Sequence, residues 1–207
     1  MNERIPRLLV ITDVTLQTRY SHADLARRAI DGGADAIQLR DKDASLRELL
    51  AHAEEVREVC TQHAASFFVN DRVDVALAVG ADGVHLGQDD MPAAVARRLM
   101  GSEACIGVTA FTPTLARSAA SDGADYVGFG PVFGTQSKAD PRPATGLDGF
   151  AAFAAACDLP IVAIGSVRAE HVDALLAAGA HGVAAISAVC CAVDVAEAAR
   201  AFTRRLT

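Results

Sequence analysis

One short phrase returns four times along the chain and limits the fold more than any other feature. It reads GGADAIQLR at 32–40, VGADGVHLG at 79–87, DGADYVGFG at 122–130 and AGAHGVAAIS at 178–187. Each copy has Gly, then Ala, then Asp or His, then a β-prone run. Each also follows an amphipathic stretch. Val73, Ala76 and Leu77 recur at helical spacing before Gly80, and Val172, Leu175 and Leu176 do so before Gly179. That spacing makes the apolar stripe of a helix packed on one side. Glycine ends such a helix because it takes the left-handed conformation without a Cβ clash. The four copies are therefore four helix-to-strand joints.

Four further candidate strands lie between them: LLVITD (8–13), SFFVN (66–70), CIGVT (105–109) and PIVAIG (160–165). Helical pattern follows each, and after the second strand Leu46, Leu49, Leu50, Ala53 and Val56 mark a long helix. Eight strands thus alternate with eight helices, which implies parallel strands and right-handed crossovers. The expected architecture is a (β/α)8 TIM barrel, with residues 1–207 as one domain. An open doubly wound sheet is the alternative.

Composition is compatible with this and excludes some functions. The 207 residues are 51% hydrophobic, enough for one large core, but only 5% aromatic with no Trp, so that core is aliphatic. A net charge of −7 argues against non-specific binding to nucleic acid or a membrane surface. A local basic cluster would still admit a small anionic substrate. The five cysteines form no CxxC pair and read as small apolar residues in a reducing compartment. The opening MNERIPRLLVITD has no apolar signal region, and no apolar run reaches the roughly 20 residues of a membrane span. A cytoplasmic protein is expected; a homo-oligomer is left open.

In a parallel barrel all strand C-termini open on one face, where sites are built. The residues at those ends are Asp13; Gln38, Arg40 and Lys42; Asn70 and Asp71; Gln88, Asp89 and Asp90; Thr109; Thr135, Ser137 and Lys138; Gly165 and Ser166; Ile186 and Ser187. Asp71 follows the third strand and Asp90 the fourth. Neighbouring strands are about 5 Å apart, so the two carboxylates can converge. Two such acids need a proton or a cation between them, and an all-oxygen pair beside a phosphate suits Mg2+. Alternatively each would only favour the helix that follows it.

In QLRDK (38–42), Ile37 and Leu39 should face the helices while Gln38 and Arg40 point into the barrel. A buried guanidinium needs a partner. That partner is either a core acid in a structural ion pair or a bound anion, which Lys42 and Lys138 would share. Gly165–Ser166 and Ile186–Ser187 occupy the strand ends where such barrels hold phosphate. His85, inside a strand, reads as a packed, hydrogen-bonded residue. The other histidines are scattered without i, i+4 pairing.

In order and spacing, QLRDK, NDRVDVALAVGADGVHLGQDD (70–90), DGADYVGFGPVFGTQSK (122–138) and PIVAIGS (160–166) resemble the motifs of the thiamine phosphate synthase family. The resemblance spans nearly the whole chain. It implies a transferase that couples hydroxymethylpyrimidine diphosphate with a thiazole phosphate and releases pyrophosphate by a dissociative route. Carried onto this chain, it implies that Gln38, Leu39, Arg40, Asp41, Lys42, Asn70, Thr109 and Lys138 hold the pyrimidine diphosphate, with Arg40, Lys42 and Lys138 assisting its departure. Asp71 and Asp90 would hold Mg2+. Thr135, Gln136, Ser137, Ser166, Ile186 and Ser187 would cradle the thiazole phosphate. Thr109 stands where that family usually has Ser, Phe111 where it often has His, and Ser166 where it has the second Gly of a pair. The rival readings are a thiazole tautomerase and a non-catalytic metabolite-binding regulator on the same barrel. Neither needs the acid pair together with Arg40, Lys42 and Asn70.

Overall fold

The computed structural model describes residues 4–134 and 143–206. Eight strands close into a barrel in sequence order: β1 (Leu8–Thr12), β2 (Ala36–Leu39), β3 (Ser66–Asn70), β4 (Gly83–Leu86), β5 (Cys105–Thr109), β6 (Tyr126–Phe129), β7 (Ile161–Ala163) and β8 (Gly182–Ala185). Every neighbouring pair is parallel, including β8 with β1. The open sheet is thereby excluded.

The helices are α1 (His22–Asp31), α2 (Leu46–Gln62), α3 (Val73–Val79), α4 (Ala93–Met100), α5 (Pro113–Ser121), α6 (Gly146–Ala154), α7 (Val172–Ala177), α8 (Ser187–Cys190) and α9 (Val195–Leu206). Two of them follow β8 rather than one, because the single turn of α8 is inserted before α9. Leu25, Val56, Val84 and Ile106 belong to an apolar shell between strands and helices, which also buries Phe67, Phe129, Phe150 and Phe153, so the core is not purely aliphatic as composition suggested. Leu46 and Leu77, expected in helix stripes, are exposed instead. The buried stripe of α2 runs through Leu49, Ala53, Val56 and Cys60; Leu46 continues the same spacing but is the first residue of the helix and is exposed there.

The repeated phrase has a structural cause. Gly33, Gly80, Gly123 and Gly179 all have positive φ, so each helix does turn back through a residue without a Cβ. The Asp that follows closes the foot of the barrel. Asp35 accepts the Leu8 N–H at 2.6 Å, Asp82 the Phe67 N–H at 2.8 Å and Asp125 the Ile106 N–H at 2.7 Å. Each acid before an even strand thus satisfies an otherwise unpaired amide at the start of the preceding odd strand. In the fourth copy His181 takes this place and bonds the Ile5 carbonyl through Nε2 at 3.1 Å. These polar residues belong to the stability face, opposite the strand C-termini.

Inside the barrel, Leu9, Ile11, Phe68, Tyr126 and Val162 form a separate apolar cluster. A Cβ at Gly107 would come 2.1 Å from the Tyr126 ring, and one at Gly128 would come 2.7 Å from the His85 ring. Bare positions on β5 and β6 therefore make room for two rings in the interior.

Candidate active site

Above that cluster, at the strand C-termini, lies a cavity of 380 Å³. This is within the range of small-molecule sites. Gln38, Arg40, Lys42, Asn70, Asp71 and Asp90 line one side of it, and Ile164, Ser166, Ile186 and Ser187 another.

The alternation of β2 places these groups. Leu39 is buried in the outer shell, whereas Gln38 and Arg40 reach the cavity. Gln38 is 1% exposed. Arg40 is ion-paired through Nη1 with Asp13, whose own side chain is 2% exposed. The core acid foreseen as one partner for Arg40 therefore exists. Asp13 is itself held by the Thr15 N–H at 3.0 Å and the Thr15 hydroxyl at 2.6 Å. This fixes the guanidinium beside the cavity rather than removing it from there.

Asp71 and Asp90 meet. Their carboxyls are in hydrogen-bonding reach, and Lys42 Nζ lies 3.4 Å from Asp71 Oδ2. Burial first, then the hydrogen bond and charge of Asp90, push the Asp71 carboxyl above the usual carboxylate range, with Lys42 pulling the other way. Neither acid is the side-chain cap of the helix that follows it. The N-caps of α3 and α4 are Arg72 and Pro92, and neither helix has a side-chain cap. Asp90 Oδ2 instead accepts the Gly87 N–H at 2.6 Å, and a Cβ at position 87 would come 2.8 Å from that oxygen. Asp71 sits in left-handed backbone at φ 64°. Non-glycine residues rarely adopt that conformation without a local reason, and Asp tolerates it better than most.

His85 is packed and hydrogen-bonded, and it does more than fill the interior. Its Nδ1 lies 3.1 Å from the Tyr126 hydroxyl and its Nε2 lies 3.0 Å from the Thr109 hydroxyl. Burial pushes the Tyr126 phenol well above its ordinary pKa, so it stays a neutral partner. Thr109 is thus oriented at the cavity wall by a half-buried chain anchored on the buried Tyr126. The sequence offered His85 and Thr109 separately; their contact follows from the register Leu86↔Val108 between β4 and β5.

Of the residues named from sequence, Leu39 and Asp41 are not among the cavity lining. The Asp41 carboxylate is directed to His22 and His52, at 3.3 and 3.4 Å. Two of the histidines read as scattered, His22 and His52, are therefore brought together around Asp41. Thr135, Gln136, Ser137 and Lys138 lie outside the described residues. No described helix is long and apolar enough to cross a membrane. The cysteines divide: Cys60, Cys105 and Cys190 are buried, Cys157 is half-buried, and Cys191 is exposed, unlike the expected apolar residue.

The chain is similar to several known proteins. The sequence pattern of the family described as thiamine monophosphate synthase matches residues 8–189. The thiamine-phosphate synthase of Methanospirillum hungatei is 49% identical over 195 residues, 94% of this chain and 95% of that protein. That of Methanocella arvoryzae is 51% identical over 193 residues, 93% and 91% respectively. Among solved structures, a thiamine phosphate pyrophosphorylase from Pyrococcus furiosus superposes with a TM-score of 0.86 at 38% identity, covering 97% of this chain and 95% of its own. A 3-hexulose-6-phosphate synthase shares the fold at a TM-score of 0.72 and 20% identity, covering 97% and 100%.

Proposed function

The chain belongs to the thiamine monophosphate synthase family and is a transferase of thiamine biosynthesis, and from that footing we propose that it joins hydroxymethylpyrimidine diphosphate to hydroxyethylthiazole phosphate, giving thiamine phosphate and pyrophosphate. The observation that carries this reading is the gathering of Arg40, Lys42, Asn70, Asp71 and Asp90 on one cavity wall, with Ser166, Ile186 and Ser187 on another. A cationic, acid-bearing wall suits a diphosphate with a metal ion. A wall of small polar and aliphatic groups suits the second, singly phosphorylated ring.

The carbon–oxygen bond between the pyrimidine methylene and the diphosphate breaks first, its electron pair leaving with pyrophosphate. The resulting pyrimidine-stabilised cation is then attacked by the lone pair of the thiazole nitrogen. The protein needs no nucleophile of its own. Its tasks are to neutralise the leaving group and hold the two rings against each other. Arg40 does the first from a position fixed by Asp13. Lys42 does so from beside Asp71. Lys138 joins them on the strength of the family motif, as Thr135, Gln136 and Ser137 join Ser166, Ile186 and Ser187 for the thiazole phosphate. Gln38, Asn70 and the Thr109 hydroxyl orient the pyrimidine diphosphate. Leu39 and Asp41 do not line the cavity, and for them the assignment rests on the family motif alone.

The acid pair fits Mg2+. Two carboxylates pressed together, with Lys42 beside them, accommodate a further positive charge, and an all-oxygen donor set suits a hard ion. Bound there, Mg2+ would supply charge to the departing diphosphate. We place the reaction in the cytoplasm, where free thiols such as the five here persist.

The test is direct. The purified protein is incubated with both substrates, with and without Mg2+, and pyrophosphate is followed. Release that needs both substrates and Mg2+ supports the assignment. No release under any condition overturns it.

A further inference from the structure

Next to Arg40 and Lys42 of the cavity wall, three side chains from separate elements meet. His22 opens α1, Asp41 lies in the loop after β2, and His52 projects from α2. One ligand atom from each lies within 4.8 Å of the others. We propose that His22, Asp41 and His52 form a second metal site, distinct from the Asp71–Asp90 pair and selective for a zinc-type divalent ion.

The distances fit a coordination cage better than a hydrogen-bonded triad. His22 Nε2 is 3.3 Å and His52 Nδ1 3.4 Å from the same oxygen, Asp41 Oδ2. Charge-assisted N–H···O bonds are about 2.7–2.9 Å long, so both contacts are stretched for that role. Two ligands each about 2.0–2.1 Å from a tetrahedral ion are roughly 3.3 Å apart. The contacts therefore have the length of tetrahedron edges. His52 Nδ1 is buried as an atom and makes no hydrogen bond, which is costly unless something else fills that role.

The surroundings also aim the ligand atoms. The Thr12 hydroxyl donates to the Gln38 carbonyl at 3.4 Å and lies 2.8 Å from His22 Nδ1. A metal bound through Nε2 would leave the His22 proton on Nδ1, where the Thr12 hydroxyl can accept it, and would replace the long Nε2 contact to Asp41. Asp41 Oδ1 is occupied by the Asp43 and Ala44 N–H groups at 3.3 and 3.1 Å, which turns Oδ2 towards both imidazoles. Two imidazole nitrogens and one carboxylate select zinc over magnesium. A separate hollow of 330 Å³, bordered by His22, His52 and Tyr20, leaves room for water as a fourth ligand. Asp41 stands between Arg40 and Lys42, so an ion here would tie the loop carrying both cations to α1 and α2.

Metal-stripped protein without substrate is titrated with Zn2+ by calorimetry, and with Co2+ by visible absorption. The wild type is expected to take one Zn2+ that millimolar Mg2+ does not displace, and to give the intense bands of tetrahedral Co2+. His52→Ala, at a partly exposed position, should weaken Zn2+ binding by about tenfold or more. Asp90→Asn and His63→Ala should leave it intact, separating this site from the acid pair and from adventitious histidine binding. Weak octahedral Co2+ bands, no stoichiometric Zn2+, or equal affinity in His52→Ala would each overturn the proposal. The Co2+ spectrum needs no variant, and none of these readouts depends on turnover.

Discussion

The carboxyl of Asp71 stands against that of Asp90, although the residues end different strands and are separated in sequence by the whole of α3 and β4. Burial and mutual repulsion are the cost of that arrangement, and the Lys42 ammonium at 3.4 Å offsets it only in part. Removing one acid should therefore remove function while sparing the fold. Asp71→Asn and Asp90→Asn are each expected to abolish Mg2+-dependent coupling. Asp71→Asn should melt at or slightly above the wild-type temperature, since Asn tolerates the left-handed backbone at 71. Turnover near wild type in both variants, or a large fall in melting temperature for Asp71→Asn, would contradict this.

Asp13 is predicted to matter for stability through Arg40. Asp13→Ala leaves a guanidinium whose side chain is 15% exposed without its ion-pair partner. The expected loss is about 3 kcal/mol in urea denaturation. Asp13→Ala combined with Arg40→Leu should recover part of it, because the unpaired charge is gone. If the double variant is as unstable as the sum of the single ones, the pair is not the cause.

The serine at 166 sits at φ 47°, a conformation natural to glycine. Ser166→Gly relieves about 1 kcal/mol of backbone strain and adds a comparable unfolded-state entropy, so stability should change by less than about 1 kcal/mol. Affinity for the thiazole phosphate should be kept or improved, measured as KM at saturating pyrimidine diphosphate. A large rise in KM would assign the serine hydroxyl a direct contact.

Burial pushes the thiols of Cys60, Cys105 and Cys190 up to about 12. At about pH 8 these remain protonated and inaccessible, and a thiol reagent should modify Cys191 first, Cys157 more slowly, and the other three only in denaturant. Rapid labelling of all five in native protein would contradict the packing described.

The frame of the fold was legible because its signals are local. Gly33, Gly80, Gly123 and Gly179 announce helix ends through their backbone freedom, and strands such as Ser66–Asn70 and Cys105–Thr109 fall where apolar runs place them. Strand order also brings Asp71 to Asp90, since β3 and β4 are neighbours. What stayed hidden depends on side-chain direction after a strand ends. Alternation along β2 holds for Gln38, Leu39 and Arg40, but lapses in the loop, where Asp41 turns to His22 and His52. Those three residues come from three elements with no shared periodicity. That Arg40 would need a partner could be read from its burial; that the partner is Asp13, across β1 and β2, could not. Asp35, Asp82 and Asp125 recur for the foot of the barrel, a role that repetition alone does not distinguish from chemistry.

The account rests on the acid pair holding the metal that accompanies the diphosphate. Crystals grown with pyrophosphate and Mn2+ in place of Mg2+ would test it, since the manganese is located by its anomalous signal. The account predicts a peak coordinated by Asp71 and Asp90, with the pyrophosphate in reach of Arg40 and Lys42. Manganese bound elsewhere, with these two carboxylates uncoordinated, would contradict it.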